Sequence, residues 1–180
     1  KLDDLFIMVI LENILDKKTN KEIIKELLAS AGWFIAIDVK DYSEKYNFLF
    51  NKKIHSGFSL TTFSENEYVV NEKLTQYANT IIQIILEKST LKKVKVKRVM
   101  WNYYMKNQNG VLHRDYHDEN HWSFLYTLNT TDGGLEFNNN FFPDIESEAK
   151  LFKSNILHRG IGPKKTIARF NLNVILEECK

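Results

Sequence analysis

A chain of 180 residues, 43% apolar and 13% aromatic, is long enough to bury a core, and this composition excludes a disordered or fibrous polymer. With 25 Lys and Arg against 23 Asp and Glu, the net charge of +2 argues against nucleic acid as a partner. The lone Cys179 excludes a disulfide framework, and the apolar run from Leu5 to Leu11 lacks a signal-peptide layout and is far below the ~20 residues that span a bilayer, so a cytoplasmic protein without a membrane partner is expected.

Residues 5–14 are rich in β-formers and read as a first strand or edge segment. Thr19 and Glu22 have capping-box spacing, followed by a helical apolar face of Ile23, Leu27, Leu28 and Ala31. Residues 33–39 return to strand character. Residues 41–67 show no sustained period and read as a long, partly structured insertion containing His55. A second helix is expected over 71–88, with Leu74, Tyr77, Ala78, Ile81, Ile82 and Ile85 on one stripe.

From Val94 the period becomes two. The phase slips at Lys97-Arg98, the signature of a bulge, and then Val99, Trp101 and Tyr103 alternate with Met100, Asn102 and Tyr104. The basic run 88–98 reads as a solvated edge-strand face in preference to a nucleic-acid patch. Trp122, Phe124, Tyr126 and Leu128 form the next stripe, and Thr131-Asp132-Gly133-Gly134 and Asn138-Asn139-Asn140 read as turns. Short strands after two helices predict a mixed α/β (α+β) architecture. Its core would be a double-stranded β-helix, a jelly-roll barrel, supported by the N-terminal helices. With no internal repeat or linker, 1–180 reads as one domain, helical support over about 15–90 and the jelly-roll core over about 94–177.

The chemistry concentrates late. His113 and Asp115 stand two apart, so on an extended segment they leave the same face. His158 could join them if the sheet folds back. Two imidazoles and a carboxylate suit a divalent iron with open positions. On the last strand, Ile167, Arg169, Asn171, Asn173 and Ile175 oppose an apolar face of Phe170, Leu172, Val174 and Leu176. An inward Arg169 would be a fork for a carboxylate. The alternative is a buried salt bridge, but no acidic residue lies on its own strand face. His117 and His121 lie in a ligand-dense run, which leaves open a zinc-dependent hydrolase; a catalytically silent jelly-roll binding module is a further alternative. Arg159 reads as a rim charge.

H-R-D at 113–115, H-R-G at 158–160 and R-F-N at 169–171 resemble the iron(II)- and 2-oxoglutarate-dependent dioxygenases, and more closely their prolyl-4-hydroxylase-like branch, including small microbial and viral members. Tyr104, nine residues before His113, stands where that branch often has a tyrosine reaching the co-substrate, and F-L-Y-T-L-N followed by G-G-L-E-F matches the branch's strand, loop and double glycine. The likeness spans about 94–177. Asn171 departs from the serine or other residue that related enzymes often carry there. The resemblance implies Fe(II) held by His113, Asp115 and His158 as the catalytic centre. It implies 2-oxoglutarate anchored by Arg169, Tyr104 and Asn171, with O2 consumed, succinate and CO2 released, and ascorbate as an accessory reductant. A peptidyl residue such as proline, or a small metabolite, would be hydroxylated, with His117, His121 and Trp122 as candidate substrate contacts.

Overall fold

The computed structural model describes residues 8–35, 57–64 and 71–179. Two sheets, antiparallel throughout, and two helices account for the described elements. In chain order these are β1 (Val9–Leu11), α1 (Lys17–Ala29), β2 (Phe34–Ile35), β3 (Phe58–Ser64), α2 (Glu72–Lys88), β4 (Val94–Met105), β5 (His121–Thr127), β6 (Thr131–Phe137), β7 (Asn140–Asp144), β8 (Ala149–Lys153), β9 (His158–Ile161) and β10 (Ala168–Glu178). The larger sheet runs β1-β8-β5-β10-β4-β3-β2 and the smaller β7-β6-β9. From β4 onward the chain passes back and forth between the sheets. Bridges from Asn109 to Ile161 and from His113 to His158 lay 109–113 along β9.

The larger sheet is apolar on its outer face because β4, β5 and β10 each present every second side chain there. Val99, Trp101, Phe124, Tyr126, Leu172 and Val174 pack into one cluster with Ile23 and Leu27 of α1 and Leu74, Ile81 and Ile85 of α2. Each such buried aliphatic contributes roughly 1.5–3 kcal/mol. The inner face meets the smaller sheet through a second cluster of Leu125, Leu135, Phe137, Phe152 and Ile156. No helix among the described residues is long and apolar enough to cross a membrane.

Several local expectations are corrected. Helix α1 is capped by Asp16, not by Thr19: the Asp16 carboxylate accepts from the backbone N–H of Lys18 and Thr19 and from the Thr19 hydroxyl. A charged acceptor reaching two free N–H groups at the positive end of the helix outcompetes a neutral hydroxyl three residues later. The buried stripe is accordingly Asn20, Ile23 and Leu27, and Leu28 is 61% exposed. The expected turn at Thr131-Asp132-Gly133-Gly134 is strand β6, irregular between Thr131 and Gly134. Its glycines serve close approach, since a Cβ on Gly133 would lie 2.6 Å from the Ile161 carbonyl oxygen. Asn138 and Asn139, both at positive φ (47° and 63°), do form a turn, joining β6 to β7. β4 lies inside the sheet between β10 and β3, not at an edge. Part of the expected insertion, Phe58–Ser64, is strand β3. His55 lies outside the described residues.

Candidate metal and co-substrate site

The site begins with a bulge. Val96 pairs with Leu176 and Arg98 with Ile175, so Lys97 is the extra residue of β4. In unbroken alternation through Lys97, Arg98 would share the outer apolar face of Val94 and Val96. The bulge shifts the phase, and Arg98 turns inward together with Met100, Asn102 and Tyr104. The Arg98 Nη2 donates to Asp115 Oδ1 (2.9 Å) and to Asn173 Oδ1 (2.9 Å).

His113, Asp115 and His158 converge, each offering a ligand atom within 4.8 Å of the others. They do so without a common ladder. His113 and His158 face each other across one antiparallel bridge, and Asp115 follows in a bend pinned by its N–H to the Ser154 carbonyl (3.0 Å). The Nδ1 of His113 donates to the Val111 carbonyl (2.8 Å) and that of His158 to the Ile156 carbonyl (2.9 Å). This holds each neutral ring in the tautomer whose Nε2 lone pair faces the carboxylate, at 3.6 Å from Asp115 Oδ1 and 3.4 Å from Oδ2. Three electron-pair donors aimed at one point call for a cation.

Ser123, on the inner face of β5, donates to Asp115 Oδ2 (2.6 Å) and hydrogen-bonds the Ser154 hydroxyl (2.7 Å). Phe152 packs edge-on against the His158 ring. Burial pushes the Asp115 carboxyl up, but the bonds that both histidines donate through Nε2 once protonated, together with the nearby positive charge of Arg98, hold it well below the usual carboxylate range. Burial pushes His113 down, and the bond its protonated ring gives Asp115 more than offsets this, for a net rise.

Beyond the triad, towards the N-terminal end of β10, lies a second polar group. Arg169 is 1% exposed, and its Nε donates to Asp144 Oδ2 (2.5 Å), which also accepts from the Thr131 hydroxyl (3.0 Å). The buried salt bridge weighed from the sequence therefore exists. Its acid comes from the end of β7 on the facing sheet, which strand periodicity could not show. The pairing leaves the fork open: among the described residues Arg169 Nη2 has no hydrogen-bond partner, nor have Asn171 Nδ2, the Thr127 hydroxyl and Lys150 Nζ, nor, on the acceptor side, Asp144 Oδ1. Buried donors without acceptors are costly. With three nitrogen donors and a hydroxyl against one free acceptor, the set fits an acceptor-rich ligand such as a carboxylate.

Tyr104 lies with its ring 5.0 Å from the Arg169 guanidinium carbon. Burial pushes its phenol pKa up, with the Arg169 charge opposing. Glycines make the space: a Cβ on Gly160 would lie 2.8 Å from both Arg169 Nη1 and Tyr104 Oη, and one on Gly57 2.9 Å from the Tyr104 ring. Asn171 is buried and accepts from Asn102 Nδ2 at 3.0 Å.

The remaining candidates separate. His121 is buried, bound through Nδ1 to Asp118 (2.5 Å) and stacked on Tyr116, with its Nε2 unpartnered among the described residues. His117 is exposed. Neither joins the metal-capable group. Trp122 is not brought to the site: it alternates with Ser123, packs on the helix-covered face and donates to Glu178 (3.1 Å). Arg159 pairs with Glu136 at the surface (2.8 Å). Sequence reasoning missed Arg98, Ser123, Asp144 and Lys150. Only the phase slip at Lys97 and the inward phase of β5 hinted at the first two.

No family model matches the chain, and no curated protein sequence matches it. Solved structures do. A viral collagen prolyl hydroxylase from Paramecium Bursaria Chlorella virus-1, in its 2OG complex, superposes at TM-score 0.62 with 12% identity, 100% of each chain being covered. The chain has the fold of the iron(II)- and 2-oxoglutarate-dependent oxygenases. A prolyl hydroxylase from Trichoplax adhaerens, in complex with a hypoxia inducible factor peptide fragment, gives 0.68 at 14% identity, covering 95% of this chain and 83% of that one. The epimerase SnoN of nogalamycin biosynthesis, in complex with Fe3+, alpha ketoglutarate and nogalamycin RO, gives 0.66 at 9% identity, covering 95% and 78%. The oxygenase fold thus accommodates both peptide and small-molecule ligands in these neighbours.

Proposed function

We propose that the chain is an Fe(II)- and 2-oxoglutarate-dependent dioxygenase that hydroxylates a peptidyl residue such as proline, or a small metabolite. The observation that carries this reading is the pairing of two arrangements in one interior. Three lone-pair donors converge on one point, and beside them lies a buried fork, Arg169, whose Nη2 has no partner among the described residues. Iron with 2-oxoglutarate and O2 would supply the oxidising chemistry, with succinate and CO2 released.

His113, Asp115 and His158 would hold the metal on one side, leaving the opposite side accessible. Ser123 and Arg98 orient the Asp115 carboxylate from its two oxygens. Arg169, set by Asp144, would take the far carboxylate of 2-oxoglutarate, with Tyr104 and Asn171 beside it. The two sheets exclude water from that end, which strengthens each charge-assisted bond. Prolyl hydroxylases among the structural neighbours support a peptide substrate, and SnoN supports a small molecule.

The test is an anaerobic titration of 2-oxoglutarate into Fe(II)-loaded protein, following the visible metal-to-ligand charge-transfer band. A saturable band that weakens in Arg169→Ala is expected. A folded, iron-loaded protein that develops no band would overturn the reading. Screening peptides and metabolites for stimulated succinate release then identifies the substrate.

A further inference from the structure

Lys150 is the least explained group in the interior. It lies on β8 within Ala-Lys-Leu-Phe, every member of which is buried, and is itself 1% exposed. A lysine so placed costs heavily unless something compensates its charge. Its one ion pair is a long one, Nζ to Glu148 Oε2 at 3.8 Å, and Nζ has no hydrogen-bond partner among the described residues. Burial pushes its pKa down, opposed by the charges of Asp144 and Glu148.

Register shows where the amine points. Lys150 pairs with Leu125, and Leu125 with Asn173, whereas Thr127 pairs with Asn171. Leu125 packs in the cluster between the sheets, so Lys150 enters that same interior from the β8 side. Along the strands it stands between Ser123, which holds Asp115, and the Thr127–Asn171 pair next to Arg169. The Arg169 charge is already met by Asp144 at 2.5 Å. An anion at the open fork therefore meets a guanidinium that is already paired. The Lys150 amine, whose own ion pair is long and which makes no hydrogen bond among the described residues, is a further buried donor in the same interior.

We propose that Lys150 is a specificity-determining residue that, with Arg169, binds the far carboxylate of the 2-oxo acid and so selects a dicarboxylic over a monocarboxylic co-substrate. The proposal rests on the co-substrate reading above. Its competitor is a purely structural lysine balancing Asp144 and Glu148, and binding data separate the two.

The anaerobic Fe(II)-protein is titrated with 2-oxoglutarate and with 2-oxobutanoate, which has the same metal-binding end but no far carboxylate. Affinity is read from the visible band and from the ligand-induced rise in Tm. In Lys150→Met the 2-oxoglutarate affinity should fall about 10- to 100-fold, the worth of one charge-assisted hydrogen bond. Affinity for 2-oxobutanoate should stay unchanged, and Lys150→Arg should recover most of the discrimination. Lys150→Gln provides the same comparison should the methionine variant not fold. Equal losses for both acids, or no loss for either, would overturn the role of Lys150 while leaving the co-substrate reading intact. Wild-type protein that binds neither acid would overturn that reading and this inference together.

Discussion

Replacing Gly160 by alanine tests the co-substrate pocket without touching a metal ligand or a charge. The new methyl would sit 2.8 Å from Arg169 Nη1 and Tyr104 Oη and 2.9 Å from Tyr104 Cζ. Ordinary carbon contacts begin near 3.5 Å, so a neighbour must yield by roughly 0.7 Å. Tyr104 has little room, because its ring already fills the space left by the missing side chain of Gly57. Arg169 is therefore the group that shifts, and its bond to Asp144 resists. Overpacking of this kind costs about 1–3 kcal/mol, which for a chain of this size lowers Tm by about 2–12 °C. Gly160 itself has no positive φ, so alanine adds no backbone strain. Its methyl occupies the cradle in front of the fork. Affinity for 2-oxoglutarate should fall at least about tenfold, a loss of about 1.4 kcal/mol or more. Affinity for Fe(II) should not change, because His158 keeps its bridge to His113. Differential scanning fluorimetry, the anaerobic charge-transfer titration and metal competition against a chelator together measure all three. A Gly160→Ala protein that binds 2-oxoglutarate as tightly as wild type would refute the assignment of this cradle.

Two further outcomes are expected. Ser123→Ala removes the 2.6 Å bond to Asp115 Oδ2 and should weaken Fe(II) binding about tenfold in chelator competition with little loss of Tm; unchanged affinity would remove Ser123 from the site. Tyr126, whose hydroxyl donates to Asn20 of α1 at 2.7 Å, has its pKa pushed up to about 12, chiefly by burial. The folded state keeps this proton between about pH 10, where the unfolded phenol ionises, and pH 12, so its stabilisation is intact below pH 10 and lost as pH rises through that window. The stability advantage of wild type over Tyr126→Phe in urea unfolding should therefore shrink by about 2 kcal/mol between pH 10 and 12, and a constant difference would show that Tyr126 is not the titrating group.

Whereas β6 read as a turn because its glycines break period-two alternation, strands β4, β5 and β10 were legible because that alternation survives wherever one face of a strand is dry. So were α2, with its clean stripe, and the bulge, since an extra residue must invert the phase. The triad and Arg169 were readable as residue types at suggestive spacings. Their meeting was not, because it depends on a single bridge between His113 and His158 and on the Ser154 carbonyl, contacts that no local pattern encodes. The start of α1 was misplaced because two acceptable caps lay three residues apart and charge decided between them. Asp144 and Lys150 were invisible for two different reasons. Asp144 is the one buried residue at the end of the otherwise largely exposed β7 and meets Arg169 only because the two sheets face one another. Lys150 sits in β8, whose first four residues are all buried, so periodicity carries no information there. Local pattern therefore determined which strands exist and which way their side chains point. Only the packing of sheet on sheet decided which polar groups share an interior, and so which charges are left over for a ligand.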